Sequence, residues 1–265
     1  MYFKYDLKVG FLRDLPKLIV LAGMVLVANM SLYRYSEVFS LDLGSLDYIL
    51  YLMKSIPPFP QSGEEFRFPV IWYLIQLYLA WIIGRYPFSS VYDNHGASVL
   101  IYGGSRIRWY LSKVVWIMVT MIAYYLVMVA TSLVFCVILG VPITWDINIL
   151  SISGEITNAE LTAVLLLPIV TSFVTGVFQL LLMTLTTPVI GFFAVAAFSA
   201  ASTYVTSVLL FTYCSQLAKL SVFSDCGIGT VESYLTLAAV FAISLAAGLI
   251  AFNKRDILKS QRDEE

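Results

Sequence analysis

From Ile117 to Leu139 the chain carries no Asp, Glu, Lys, Arg or His. In lipid every backbone polar group must bond internally, so a run of this kind crosses a membrane only as a helix or as part of a closed barrel. Barrel strands alternate apolar and polar residues over about ten positions, and Ile117 to Gly140 shows no such alternation. The segment is therefore read as helix. A spanning helix needs about 20 mostly apolar residues, and six segments approach or meet that criterion. They are Leu15 to Leu32, Phe68 to Ile83, Trp109 to Leu139, Thr162 to Leu185, Val189 to Tyr213 and Tyr234 to Phe252. The third is 31 residues long, about 46 Å at 1.5 Å per residue, so it tilts or projects beyond the bilayer at its Trp109 end. Only 12% of residues are charged, against about 25% in soluble domains. The expected fold is an all-α polytopic membrane protein, residues 1–265 forming one transmembrane domain of six helices.

Basic residues set the expected orientation, because Lys and Arg concentrate on the cytoplasmic side. Lys4, Lys8, Arg13 and Lys17 flank the first span, Arg85, Arg106, Arg108 and Lys113 border the loop after the second, and Lys254, Arg255, Lys259 and Arg262 follow the last. The opposite side collects only Arg34, Lys54, Arg67 and Lys219. Both termini are thus expected in the cytoplasm of a multi-pass plasma-membrane protein. Charges among the first 14 residues argue against a cleavable signal peptide. Tyr2, Phe3, Tyr5, Leu7, Val9, Phe11 and Leu12 interleave with those charges, which predicts an interfacial N-terminal helix over Met1–Asp14. Leu46 to Met53 predicts a short interfacial helix in the first outer loop, stopped by Pro57, Pro58 and Pro60. Thr186, Thr187 and Pro188 predict a tight turn between the fourth and fifth spans.

The spans lack the ionisable residues that mark proton relays and voltage sensors. Gln76 and Gln179 stand out as polar positions, with a helix-packing hydrogen bond the leading expectation over a pathway-lining role. Ala194, Ala197 and Ala201 recur at spacings of three and four and share one small-residue face on which a helix can approach closely, from this chain or a second protomer. Cys136 lies within a span and is read as packing. Cys214 and Cys226 share the last outer loop, either as a disulfide or as two free thiols. The inner loop Gly84–Arg108 is the one cytoplasmic connection with enough polarity to hold a short helix, Ser89 or Ser90 capping it and Gly103 with Gly104 ending it. The alternative is a solvated turn.

Catalytic chemistry finds no support. Glu64 and Glu65 lack partner histidines, since His95 is the single histidine, and the same scarcity argues against a His-based metal site. Gly103-Gly104 leads into Ser105 and Arg106 rather than Lys-Ser/Thr, so no P-loop is present. The net charge of -1 gives no reason to expect a nucleic-acid partner.

Six spans, an inner second loop and the run Gly104, Ser105, Arg106, Ile107, Arg108, Trp109, Tyr110, Leu111, Ser112, Lys113 leading into a long third span resemble the permeases of type-2 ATP-binding-cassette exporters, in the bacterial form whose ATPase is a separate polypeptide. The resemblance implies a coupling helix over Ser89–Leu100, with Tyr92, Asp93, Asn94 and His95 contacting the ATPase. It also makes the face of Ala194, Ala197 and Ala201 a dimer seam with a second permease copy. ATP and Mg would belong to the partner subunit, and this chain would not itself be an enzyme. Trp72, Tyr73, Tyr124, Tyr125 and Phe178 are the aromatics expected to suit an amphipathic cargo such as a peptide, lipid-linked compound or drug, if they do not face lipid. A non-transport membrane partner, such as a sensor or immunity subunit, and a nucleotide-independent facilitator are the alternatives.

A cysteine placed at Ser260 should resist a membrane-impermeant thiol reagent in intact cells and react after permeabilisation. Labelling of intact cells would reverse the orientation of every loop.

Overall fold

The computed structural model describes residues 6–58, 68–92, 105–144, 146–150, 158–205, 207, 209–224 and 226–254. Its regular elements are helical. A π-helical turn, Asp6–Phe11, runs directly into α1 (Leu12–Phe39), and α2 (Ser45–Lys54), α3 (Val70–Tyr92), α4 (Arg106–Leu139), α5 (Asn158–Leu185), α6 (Pro188–Tyr204) and α7 (Thr230–Lys254) follow. Short 3-10 turns occupy Phe211–Ser215 and Leu217–Lys219. Among the described residues four helices are long and apolar enough to cross a membrane: α1, α4, α5 from Glu160, and α7. In α3 apolarity is diluted by Trp72, Tyr73, Gln76, Tyr78, Trp81 and Arg85, and α6 has only 17 residues.

Several boundaries follow from local chemistry. Ser105 caps α4 by accepting a hydrogen bond from the Arg108 N–H at 3.4 Å. Gly140 closes α4 in the left-handed region at φ 70°, its N–H directed to the Cys136 and Val137 carbonyls, a conformation open to glycine without a Cβ penalty. Thr187 caps α6 through the Ile190 N–H, with Pro188 at the first helical position. The tight turn expected at Thr186–Pro188 is present. The short helix expected over Leu46–Met53 is α2, whose first turn is held by the Asp47 carboxylate accepting from the Gly44 N–H at 3.0 Å.

Inter-helix hydrogen bonds fix the register. Tyr125 bonds Ser172 at 2.8 Å, Ser172 donates to Gln76 at 3.1 Å, and Gln179 donates to the Ala80 carbonyl at 2.9 Å. Both glutamines therefore serve packing between α3, α4 and α5. Asn29 of α1 donates to Ser132 of α4 at 2.9 Å. Each such bond adds on the order of 0.6 kcal/mol within a membrane. Helices α4 and α7 touch where Gly248 lacks a side chain: a Cβ there would lie 1.9 Å from the Tyr110 hydroxyl. Nearby, Trp109 stacks on Phe252 with centroids 4.5 Å apart, and Arg106 donates to the Asn253 carbonyl at 2.8 Å. Asp6 meets Tyr86, Ser112 and Lys113 at the same level. The described chain thus begins and finishes at one end of the bundle, here called the near end.

Three expectations need correction. The fifth span does not continue to Tyr213. Helix α6 stops at Tyr204, Val205 is extended, and Phe211–Ser215 folds as a 3-10 turn buried in the bundle. The helix can end there because Lys219 donates to the Ser202 and Thr203 carbonyls at 2.6 and 2.8 Å, while Gln216 donates to the Ser202 hydroxyl at 3.0 Å. Val205 and Leu209 are exposed, whereas the stretch Phe211–Leu217 is buried by protein. Second, Ser89 and Ser90 do not start a new helix, since α3 continues unbroken through Tyr92. Third, the described part of the N-terminal segment is not a separate surface helix. It is a single π-helical turn, with Asp6 drawn inward by Lys113.

Lys219 is fully buried, and burial pushes its ammonium down to about 8. A neutral amine keeps two N–H donors, enough for both carbonyls. Between about pH 8 and the ordinary Lys value near 10.4 the unfolded chain binds more protons than the folded one, so stability rises with pH in that window. It reaches its low plateau below pH 8, where both states are protonated. The melting temperature of detergent-solubilised protein should rise from pH 8 to 10, and in Lys219→Met the rise should be smaller by roughly 2–4 °C. Identical pH slopes would refute this role of Lys219.

Candidate functional site

Two features combine charge, burial and shape. At the near end, one Asp6 carboxylate oxygen accepts from Lys113 Nζ at 2.6 Å and from the Tyr86 hydroxyl at 2.9 Å, and the other accepts from the Ser112 hydroxyl at 2.6 Å. Asp6 is 3% exposed and Lys113 1%. The ammonium also lies over the rings of Tyr86 and Trp109, 4.5 and 4.9 Å from their centroids. Gly10 makes the approach possible, since a Cβ there would stand 2.6 Å from the Tyr86 ring. One turn further along, Asp14 pairs with Lys17, Lys17 lies 5.3 Å over the Trp81 ring, and the Lys17 carbonyl accepts from Tyr78. The ends of α3 and α4 that flank residues 93–104 are thereby tied to the start of α1.

At the far end, a cavity of about 1020 Å³ lies among α1, α2, the start of α3 and the irregular stretch through Asn148 and Ile149. Its wall includes Leu32, Tyr35, Tyr51 and Trp72, with Asp42 and Lys54 as charged members. Asp47, fully buried, braces this region by accepting from the Asn148 and Ile149 N–H groups at 2.8 and 2.9 Å. Lys54 donates to the Ile149 carbonyl at 2.8 Å, and burial pushes its ammonium down against the opposing pull of Asp47. A second space of about 490 Å³, almost entirely apolar, runs between α1 and α3 and shares Ser31 and Ile71 with the first.

The expected site residues distribute unevenly over this frame. Tyr92 is the last residue of α3, and Asp93, Asn94 and His95 lie outside the described residues. Ala194 and Ala201 are half-buried and Ala197 is exposed, so this chain leaves much of that face uncovered. Cys214 is buried and Cys226 exposed, both as free thiols, so the bridged alternative is not formed in this structure; Cys136 is a buried free thiol beside Phe135. Of the aromatics, Trp72 lines the cavity. Tyr73 and Tyr124 donate to the Ala196 and Ile75 carbonyls, Tyr125 is committed to Ser172, and Phe178 packs on Phe198 and Phe211. Four of the five are therefore packing residues. Among the described residues no group of three His, Cys, Asp or Glu is placed to hold a metal.

The Asp6–Lys113 pair was missed by sequence reading. Its one available signal was that Lys113 is a cation one turn inside an apolar run. Lys219 and Asp47 had no local signal at all. No family model, curated protein or solved structure matches the chain.

Lys113→Met leaves Asp6 buried without its cation and should cost about 3–5 kcal/mol, whereas Asp6→Leu with Lys113→Met should recover most of the loss. Thermal melts of the purified variants measure both. A double variant no better than the single would show that the two residues do not act as a pair.

Proposed function

We propose that this chain is the permease subunit of an ATP-driven exporter, crossing the membrane six times through α1, α3, α4, α5, α6 and α7 with the near end in the cytoplasm. The observation that carries the reading is the buried Asp6–Lys113 knot, which joins the loop-bearing ends of α3 and α4 to α1. Helix α1 then forms one wall of the far-end cavity. A push delivered at residues 93–104 would travel through Tyr86 and Lys113 to the base of α1 and reach the cavity along a helix of 28 residues. The ATPase would dock on Tyr92, Asp93, Asn94 and His95, and hydrolysis would occur wholly on that subunit. A second permease copy would pack against the uncovered face of Ala194, Ala197 and Ala201. The cargo is amphipathic, in keeping with a cavity that sets Asp42 and Lys54 among apolar residues and opens on an apolar groove.

Replacing Tyr92, Asp93 and His95 together by alanine should weaken co-purification of the ATPase or uncouple hydrolysis from transport while leaving the permease in the membrane. Truncation of interface anchors typically costs more than about 1 kcal/mol at a minority of positions. Wild-type association together with cargo-stimulated hydrolysis in vesicles would remove the docking assignment. Absence of any ATPase partner would favour a sensor, immunity subunit or facilitator instead.

A further inference from the structure

The far-end cavity and the apolar groove adjoin, sharing Ser31 and Ile71 in their walls. Gly23, Met24, Val27 and Ala28 of α1 face Leu74 and Ile75 of α3 along the groove, and Ser31 and Ile71 join it to the cavity. Gly23 to Ser31 covers about 12 Å of helix axis, close to the depth of one leaflet of a hydrocarbon core about 30 Å thick. The groove is deepened by Gly23, where an added Cβ would meet no atom within 4 Å. The wall of the cavity carries two opposite charges that make no salt bridge among the described residues, the exposed Asp42 and the half-buried Lys54. The Lys54 ammonium has three donors and spends one on the Ile149 carbonyl. A partly buried cation with donors to spare favours an anionic oxygen, and charge-assisted hydrogen bonds are the stronger kind. Asp42, held in place by Asn148 donating to its carbonyl at 3.0 Å, offers a carboxylate to a cation in the same cavity.

We infer that the α1–α3 groove and the far-end cavity bind one zwitterionic phospholipid of the outer leaflet, an acyl chain lying against Gly23–Ile75, the phosphate on Lys54 and the headgroup ammonium on Asp42. This rests on the membrane topology proposed above and not on coupling to an ATPase. The lipid contributes an anion where the protein has a half-buried cation and a cation where it has an exposed carboxylate. A purely anionic lipid satisfies Lys54 alone. A lipid without a headgroup satisfies neither.

The test uses the full chain in nanodiscs and a phosphatidylethanolamine carrying a photoreactive diazirine within one acyl chain, the cross-linked peptides being identified by mass spectrometry. Labelling is expected at Met24, Val27 and Leu74, competed by the unlabelled lipid. Lys54→Gln should reduce it by about tenfold, the equivalent of roughly 1.4 kcal/mol for a lost charge-assisted hydrogen bond. Gly23→Phe, which fills the groove from open space, should abolish it, and Gly23→Ala should preserve it as the folding control. Asp42→Asn should move the preference toward phosphatidylglycerol. Equal labelling by a diazirine diacylglycerol, no change in Lys54→Gln, or an unaltered preference in Asp42→Asn would each overturn the assignment. Because the readout requires neither nucleotide nor transport, its failure leaves the exporter reading standing, and loss of ATPase partnership leaves the lipid site standing.

Discussion

A carboxylate and an ammonium are buried together where three chain segments converge, and the near end of the bundle is organised around them. Taking either charge out of water alone costs several kcal/mol, so each is tolerable only with the other in place and its remaining hydrogen bonds satisfied. Tyr86 and Ser112 supply those bonds to Asp6, and the rings of Tyr86 and Trp109 face the ammonium. The pair therefore dictates where the leading turn sits, how closely α3 approaches α4, and from which side α1 rises. Trp109 in turn stacks on Phe252, which draws the end of α7 into the same arrangement.

The far end is held by a different device. Asp47 binds the start of its own helix and two N–H groups of a segment about a hundred residues later. Lys219 and Gln216 close the end of α6, and Ser55 donates to Gln216 at 2.9 Å. Hydrogen bonding of main chain by buried polar side chains thus shapes the half of the molecule that contains the cavity, whereas ionic pairing and aromatic stacking shape the other.

Local signals were legible in the sequence. Thr186, Thr187 and Pro188 announce a tight turn through turn chemistry that depends on few neighbours, and Gln76 and Gln179 announce a need for partners in an apolar setting. The end of α6 was not legible, because hydropathy reports apolar surroundings and cannot distinguish lipid from protein; Phe211, Tyr213 and Leu217 are buried by the bundle. Asp6 and Lys113 are separated by 107 positions, and no periodicity links them. The cavity was legible only at Trp72, since its charged members, Asp42 and Lys54, read in isolation as ordinary loop charges.

Neighbouring helices of very different length share this bundle. Helix α4 has 34 residues, about 51 Å of axis, and α6 has 17, about 26 Å. No single bilayer thickness suits both. On the six-span reading proposed above, the length of α6 falls about 4 Å short of an average hydrocarbon core, and irregular backbone shielded inside protein, such as Phe211–Ser215, would cover the shortfall. Hydrophobic mismatch costs fractions of a kcal/mol per Å, so the acyl-chain length of the host membrane becomes a variable that loads the segment around Lys219 while sparing the near end.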